Sequence, residues 1–272
     1  MMNTQLISFE NSQLAINGVL TFPTQIDSPP LVILCHGFTG DCNESLVATT
    51  DKGMFQLTAE QFANAGIATL RCDFSGSGES KGDWFNTTIT TELNDLAFIL
   101  SQLDELPISF TKVGLLGLSL GGLISAITAS SNENIDSLVL WNPVSNPYAT
   151  FSQIFTPEAV HQAVSGKTDQ VALPARWGTK YGPLSSEFFF DLYEYDPIAA
   201  IGSYTQPLMV IVGTEDDVVL QPQSSNLYIK YHQYQQAFVT LNADHSFDTS
   251  KSIIKLNQAI ESSLEWFKKT LK

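Results

Sequence analysis

An α/β fold, with a mostly parallel central sheet and helices on both faces, is what three features of this 272-residue chain predict. Short β-rich apolar runs recur along it. Stretches of helical spacing alternate with those runs, the signature of a mostly parallel sheet with helices packed on its faces. The composition, 43% hydrophobic and only 15% charged, can fill a large core, and a chain of this length hides roughly 70% of its unfolded surface on folding.

Taken in order, residues 5–10 and 13–22 read as an antiparallel hairpin turning near Asn11, with Gly18 marking a bulge. Strands follow at 31–35, 67–72, 112–116, 137–140, 207–212 and 237–241. Between them, 57–65 and 91–103 carry helical spacing, the second through Leu93, Leu96, Leu100 and Leu103, and each fits a crossover helix. The last helix is the clearest. Ile253, Leu256, Ile260, Leu264, Phe267 and Leu271 form one apolar stripe, and Lys268, Lys269 and Lys272 sit near the negative end of its dipole.

One segment breaks the rhythm. Residues 146–195 offer no strand for the sheet, yet hold ten aromatic side chains, among them Trp177, Tyr181 and Phe190. Such a stretch is too long for a passive loop and too apolar for a disordered linker. It reads as a cap inserted over the carboxyl edge of the sheet, dividing the chain into a core of residues 1–145 and 196–272 and a cap of 146–195. The plainer alternative is extra helices that merely pack on the core.

Thirteen basic against 28 acidic residues give a formal charge of −15, a field that repels phosphate backbones and anionic lipid surfaces. Nucleic acid and membranes are therefore not expected as partners. Three cysteines, Cys35, Cys42 and Cys72, cannot all pair, and Cys35 ends an apolar run, which favours a reducing compartment. Neither a secretory leader nor a membrane-spanning stretch can be read in the sequence, so a cytoplasmic protein is expected.

The strongest chemical signal is Gly117-Leu118-Ser119-Leu120-Gly121, a G-x-S-x-G pentapeptide set between an apolar strand and the helical run 123–129. A sharp strand-to-helix turn strains the backbone at Ser119 and holds its hydroxyl up at the sheet edge, while the flanking glycines keep neighbouring backbone clear. The helix that follows aims its first N–H groups at the point where acyl transfer develops negative charge.

An alkyl hydroxyl is protonated at neutral pH, so Ser119 needs a base within hydrogen-bond reach. Of four histidines, His245 lies on the polar loop after the last strand, at the same sheet edge as Ser119. His36 is expected to brace a loop, and His161 and His232 to sit at the surface or in packing. A base of this kind needs a carboxylate to fix its tautomer. The strand at 207–212 runs into Gly213-Thr214-Glu215-Asp216-Asp217, where Asp216 is preferred over Asp217 and Glu215. Gly76-Ser77-Gly78 is a turn rather than a dinucleotide motif, because Lys81 stands where a third glycine is required. With no paired C-x-x-C, no H-E-x-x-H and no metal-loop spacing, no metal and no cofactor are expected.

His36-Gly37-Phe38 after one strand, Asp73-Phe74-Ser75-Gly76-Ser77-Gly78 after the next, the Ser119 elbow, the acid loop and Asp244-His245-Ser246-Phe247 together resemble the α/β-hydrolases. Within them, the chain is similar to the cinnamoyl and feruloyl esterase-like group, close to the serine aminopeptidase-like hydrolases, over nearly its whole length. The resemblance implies an α/β-hydrolase fold with a triad of Ser119, Asp216 and His245. It also implies an oxyanion hole made by the backbone N–H groups of Phe38 and Leu120. The sequence departs from the group at Leu118 and Leu120, where relatives often carry His before the serine and Gln or Met after it. Backbone donation does not depend on those side chains.

Hydrolysis of a small-molecule carboxylic ester through an acyl-enzyme is the activity expected. A hydroxycinnamoyl or other small aryl or alkyl ester would suit the aromatic cap, with Trp177, Tyr181 and Phe190 as candidate pocket residues. A peptidase or thioesterase would use the same triad, and a non-catalytic binding module could keep the same scaffold. A homodimer is compatible with this reading.

Overall fold

The computed structural model describes residues 1–10, 14–178 and 180–272. Its centre is an eight-stranded sheet. An N-terminal hairpin, β1 (Met2–Glu10) and β2 (Ala15–Pro23), joins β3 (Leu31–Cys35), β4 (Ala68–Cys72), β5 (Val113–Leu118) and β6 (Ser137–Trp141). Two two-residue strands, β7 (Gln170–Val171) and β8 (Leu184–Ser185), form a separate ladder, and β9 (Leu208–Gly213) and β10 (Gln236–Leu241) complete the main sheet. Its order is β1-β2-β4-β3-β5-β6-β9-β10, antiparallel at β1–β2 and β2–β4 and parallel from β4 onward. Every residue of β3, β4, β5, β6 and β9 is buried, as strands covered on both faces must be.

The hairpin extends further at its open end than its alternation suggested, to Met2 and Pro23, while β2 starts at Ala15 rather than residue 13; the turn near Asn11 lies outside the described residues. Gly18 is not a bulge. It pairs with Ile7 on one side and Cys72 on the other in unbroken ladders. A Cβ there would lie 2.8 Å from the Cys72 sulfur, so glycine answers the close approach of β2 to β4.

Helices α1 (Met54–Asn64) and α9 (Ile254–Thr270) cover one face, packing Phe55, Phe62, Trp266 and Phe267 into one core cluster with Trp141 of β6. The Trp141 indole N–H is satisfied by the Ser263 hydroxyl at 2.9 Å, and Lys268 and Lys269 occupy the last turn of α9. On the opposite face lie α2 (Ile89–Ser101), opened by a Thr88–Thr91 capping box, and α3 (Leu120–Ser131), which begins directly after Ser119. No helix among the described residues is long and apolar enough to cross a membrane.

Among the described residues, 146–195 contribute no strand to the main sheet. They form α4 (Pro147–Phe155), α5 (Pro157–Val164), the β7–β8 ladder and α6 (Glu187–Glu194). A proline opens α4 and α5, as it does α7 (Pro197–Ile201), and the preceding Asn146, Thr156 and Asp196 accept hydrogen bonds from the first-turn N–H groups. The chain then runs through β9 and α8 (Gln223–Tyr231) to β10 and α9.

The aromatic wealth of this segment goes mainly into packing. Phe151, Phe155, Phe188 and Phe189 are buried against one another, with edge contacts of 4.9 Å for Phe151–Phe188 and 5.1 Å for Phe155–Phe189. Core and segment are pinned together by Trp84, which stacks on Tyr181 at 4.2 Å and donates to the Gly182 carbonyl, and by the Thr90 N–H on the Asp191 carboxylate at 2.7 Å.

Candidate active site

Strand β5 reaches Leu118, two residues beyond its predicted end, because Gly117 and Leu118 still pair with Leu140 and Trp141. Ser119 then takes φ 56° and ψ −115°, a left-handed conformation that a non-glycine residue adopts only under constraint. Its backbone supplies that constraint. Ser119 N–H donates to Trp141 O at 2.9 Å, and its carbonyl accepts from Gly122, Leu123 and Val144. The surrounding glycines are steric requirements. A Cβ on Gly117 would overlap the Gly121 carbonyl, and one on Gly121 would overlap the carbonyls of Cys35 and His36. That second approach sets the start of α3 against the end of β3, beside Gly37 and Phe38.

The candidate acid and base, Asp216 and His245, lie on the loops after β9 and β10. His245 Nδ1 lies 2.7 Å from Asp216 Oδ2, and Asp216 Oδ1 accepts from the N–H groups of Val218 and Val219 at 2.8 and 2.9 Å. The Asp216 side chain is fully buried, whereas Asp217 and Glu215 are exposed. An ionised carboxylate can only accept, so the imidazole proton sits on Nδ1 and the Nε2 lone pair is left free. Ser119 and His245 border the same cavity, of about 250 Å³. The Ser119 hydroxyl has no hydrogen-bond partner among the described residues.

Phe38 and Leu120 have backbone N–H groups with no acceptor among the described residues, and Leu120 is the first residue of α3. The Phe38 ring is locked into an aromatic cluster by Trp84 from the core side and by Phe151, Trp177 and Phe188 from 146–195, at 5.2 to 5.6 Å. His36 braces the loop. Its Nδ1–H donates to Gly37 O at 2.9 Å and its Nε2 accepts from Phe74 N–H at 3.1 Å, while burial lowers its pKa and keeps it neutral. Asp73 holds the 73–80 turn by accepting from Cys42 and Glu79 N–H groups. His161 is exposed on α5, and His232 is buried at the end of α8 against Gln206 O. All three cysteines are buried and free, and burial pushes the Cys35 and Cys42 thiols up to about 12.

Of the three candidate pocket residues, Trp177 borders the cavity. Tyr181 packs on Trp84 and donates to Gly40 O at 3.3 Å, and Phe190 stands half-open on α6, away from the lining. The rest of the wall is more polar than the aromatic count suggested, including Thr39, Asp41, Glu44, Lys180 and Ser246. Lys180 Nζ pairs with Asp41 at 2.8 Å; burial opposes both charges, yet the pairing holds Asp41 below the usual carboxylate range and Lys180 above the usual ammonium range. Glu44 is pushed up to about 7, chiefly by burial, with Asp41 adding and the Gly37 N–H and His245 opposing.

Two residues of this region carry no signal in the sequence. One is Glu44. The other is Asn142, buried after β6 with φ 43°, whose Nδ2 donates to His245 O at 2.8 Å and whose Oδ1 accepts from Gly213 N–H at 2.7 Å. It ties the His245 loop to the start of the Asp216 loop. Asn142→Ala leaves both partners unpaired, so a loss of about 2 kcal/mol in urea unfolding is expected, together with about a tenfold fall in kcat as the His245–Asp216 alignment loosens.

A family model described as the alpha/beta hydrolase fold matches residues 30–176. The chain belongs to that family. A 111-residue stretch is 31% identical to an uncharacterized 31.7 kDa protein of the traX-finO intergenic region of Escherichia coli, covering 40% of this chain and 36% of that protein. The match thus spans about a third of the curated relative's length. Among solved structures, Est1E of Butyrivibrio proteoclasticus with ferulic acid bound superposes with a TM-score of 0.80 at 20% identity, covering 97% of this chain and 99% of that one. Alpha/beta hydrolase domain-containing protein 10 from mouse gives 0.74 at 19% identity, covering 97% and 99%. The esterase domain of a Rhodothermus marinus protein gives 0.72 at 19%, covering 99% and 100%. These likenesses extend the shared fold across the full chain.

Proposed function

We propose that this protein is a serine hydrolase that cleaves carboxylic esters of small acids through an acyl-enzyme. The observation that carries the reading is the 2.7 Å His245–Asp216 pair opening on the same cavity as a left-handed Ser119. In the proposed cycle His245 Nε2 takes the Ser119 proton as Oγ attacks the acyl carbon. The Phe38 and Leu120 N–H groups then hold the oxyanion, each worth about 3 kcal/mol of barrier. His245 returns the proton to the departing alcohol, and water repeats the sequence on the acyl-enzyme.

Residues 146–195 act in this reading as a cap over a core of 1–145 and 196–272, contributing Trp177 and Lys180 to the cavity wall. A hydroxycinnamoyl acyl group is suggested by the fold neighbour solved with ferulic acid. The polar wall of Thr39, Asp41, Glu44 and Lys180 around about 250 Å³ favours a smaller, more hydrophilic acyl group.

The test is a substrate panel with the purified protein: short alkyl esters, aryl and hydroxycinnamate esters, the matching thioesters, and aminoacyl amides. Turnover of short esters ahead of the rest is expected. Preference for thioesters or amides would reassign the reaction to a thioesterase or peptidase. Failure of a fluorophosphonate to label the protein would make it a non-catalytic module.

A further inference from the structure

Glu44 brings a carboxyl group to the wall of the cavity that holds Ser119, and the 37–45 loop is shaped to keep it there. Gly37 N–H donates to Glu44 Oε2 at 2.8 Å. Gly40 leaves the space the carboxylate occupies, since a Cβ on Gly40 would overlap Oε2. Glu44 itself is held at φ 58°, with its N–H on Asp41 O at 2.9 Å. A left-handed backbone and a missing side chain are costly ways to place a group that water would solvate freely, and such strain collects where a site demands it.

The position of Glu44 tells which half of an ester it meets. An alcohol must leave beside His245, and a second groove of about 490 Å³, bordered by Leu46, Arg176, Asp217 and Thr249, opens on His245 without reaching Ser119. The smaller cavity also borders His245, but of the two it is the one that holds Ser119 together with Phe38 and Glu44, so on the esterase reading it receives the acyl group. The charged groups facing Glu44 are Asp41 from its own loop, His245 from the loop after β10, and Lys180 from the segment before β8. Lys180 is already paired with Asp41, which leaves no free cation among the described lining residues to welcome an anionic acyl group.

Building on the esterase reading, we propose that Glu44 is a specificity-determining residue. It accepts a hydrogen bond from a hydroxyl on a short acyl chain and excludes acyl chains that carry a carboxylate. The exclusion requires an ionised Glu44. Since burial pushes this group up to about 7, the carboxylate forms as pH rises through neutrality, and discrimination is strong above that point and weak below it.

The experiment compares kcat/KM for methyl 3-hydroxybutyrate and monomethyl succinate from about pH 6 to about pH 8.5, a range that brackets the titration of Glu44. Both substrates share leaving group and triad, so any pH dependence of the triad cancels in the ratio. In the wild type the ratio is expected to favour the hydroxy ester and to rise about tenfold across the range. In the Glu44→Gln variant, whose amide oxygen still accepts from Gly37 N–H, the ratio becomes flat and falls about tenfold at the alkaline end. A flat wild-type ratio, or the same rise in Glu44→Gln, overturns the proposal while the esterase reading stands. If no ester on the panel is turned over, the esterase reading fails and Glu44 selectivity falls with it.

Discussion

Ser119→Ala is expected to lower kcat for short 4-nitrophenyl esters by about 10⁴-fold or more, and to abolish labelling by a fluorophosphonate. The fold should not notice. The Ser119 hydroxyl makes no hydrogen bond among the described residues, so nothing is orphaned by its removal, and alanine has the same Cβ and meets the same left-handed backbone that the Trp141, Gly122, Leu123 and Val144 hydrogen bonds enforce. The urea midpoint should therefore correspond to a stability within about 0.5 kcal/mol of the wild type. This combination separates a nucleophile from a structural serine, which would lose stability and activity together. Turnover that survives in Ser119→Ala would place the nucleophile elsewhere.

The readability of the sequence follows the range of the interactions involved. The strands are legible because parallel strands covered on both faces must be continuously apolar. Helix α1 starts three residues before its predicted start, because Met54 and Phe55 belong to the apolar stripe but follow a glycine that reads as loop. Gly18 misleads for a related reason: a strand glycine can answer a bulge or a close approach, and only the position of β4 decides between them. Ser119, Asp216 and His245 stand out through local pattern, each on a loop at the carboxyl end of a recognisable strand. Asn142 and Glu44 have no such pattern. Asn142 acquires its role only where three loops converge, and Glu44 only because Gly37 and Gly40 lie against it in space. The aromatic residues of 146–195 mislead in the opposite direction. Composition counts phenylalanines but not the faces they present, and Phe151, Phe155, Phe188 and Phe189 turn toward one another rather than toward the cavity.

Asp216→Asn and Asp217→Asn should differ by about three orders of magnitude in kcat, although the residues adjoin and the substitution is the same. Asp216 uses all of its carboxylate: Oδ1 takes the Val218 and Val219 N–H groups, and Oδ2 takes His245 Nδ1–H. In the Asp216→Asn variant the amide oxygen keeps the two backbone donors, which forces the new NH₂ group to face Nδ1. Two donors cannot share that contact, so the imidazole proton moves to Nε2, where the lone pair that should receive the Ser119 proton is lost. A fall of about 10³- to 10⁴-fold is expected from the wrong tautomer alone, with the fold retained. Nitrogen chemical shifts of the His245 ring would report the exchange of proton between Nδ1 and Nε2 directly. Asp217 is exposed, and its one hydrogen bond among the described residues is made by the backbone carbonyl, which accepts from the Gln153 side chain at 3.2 Å and survives the substitution. Asp217→Asn should therefore stay within about twofold of the wild type. The opposite ranking would show that the loop rearranges before chemistry and delivers the neighbouring carboxylate to His245.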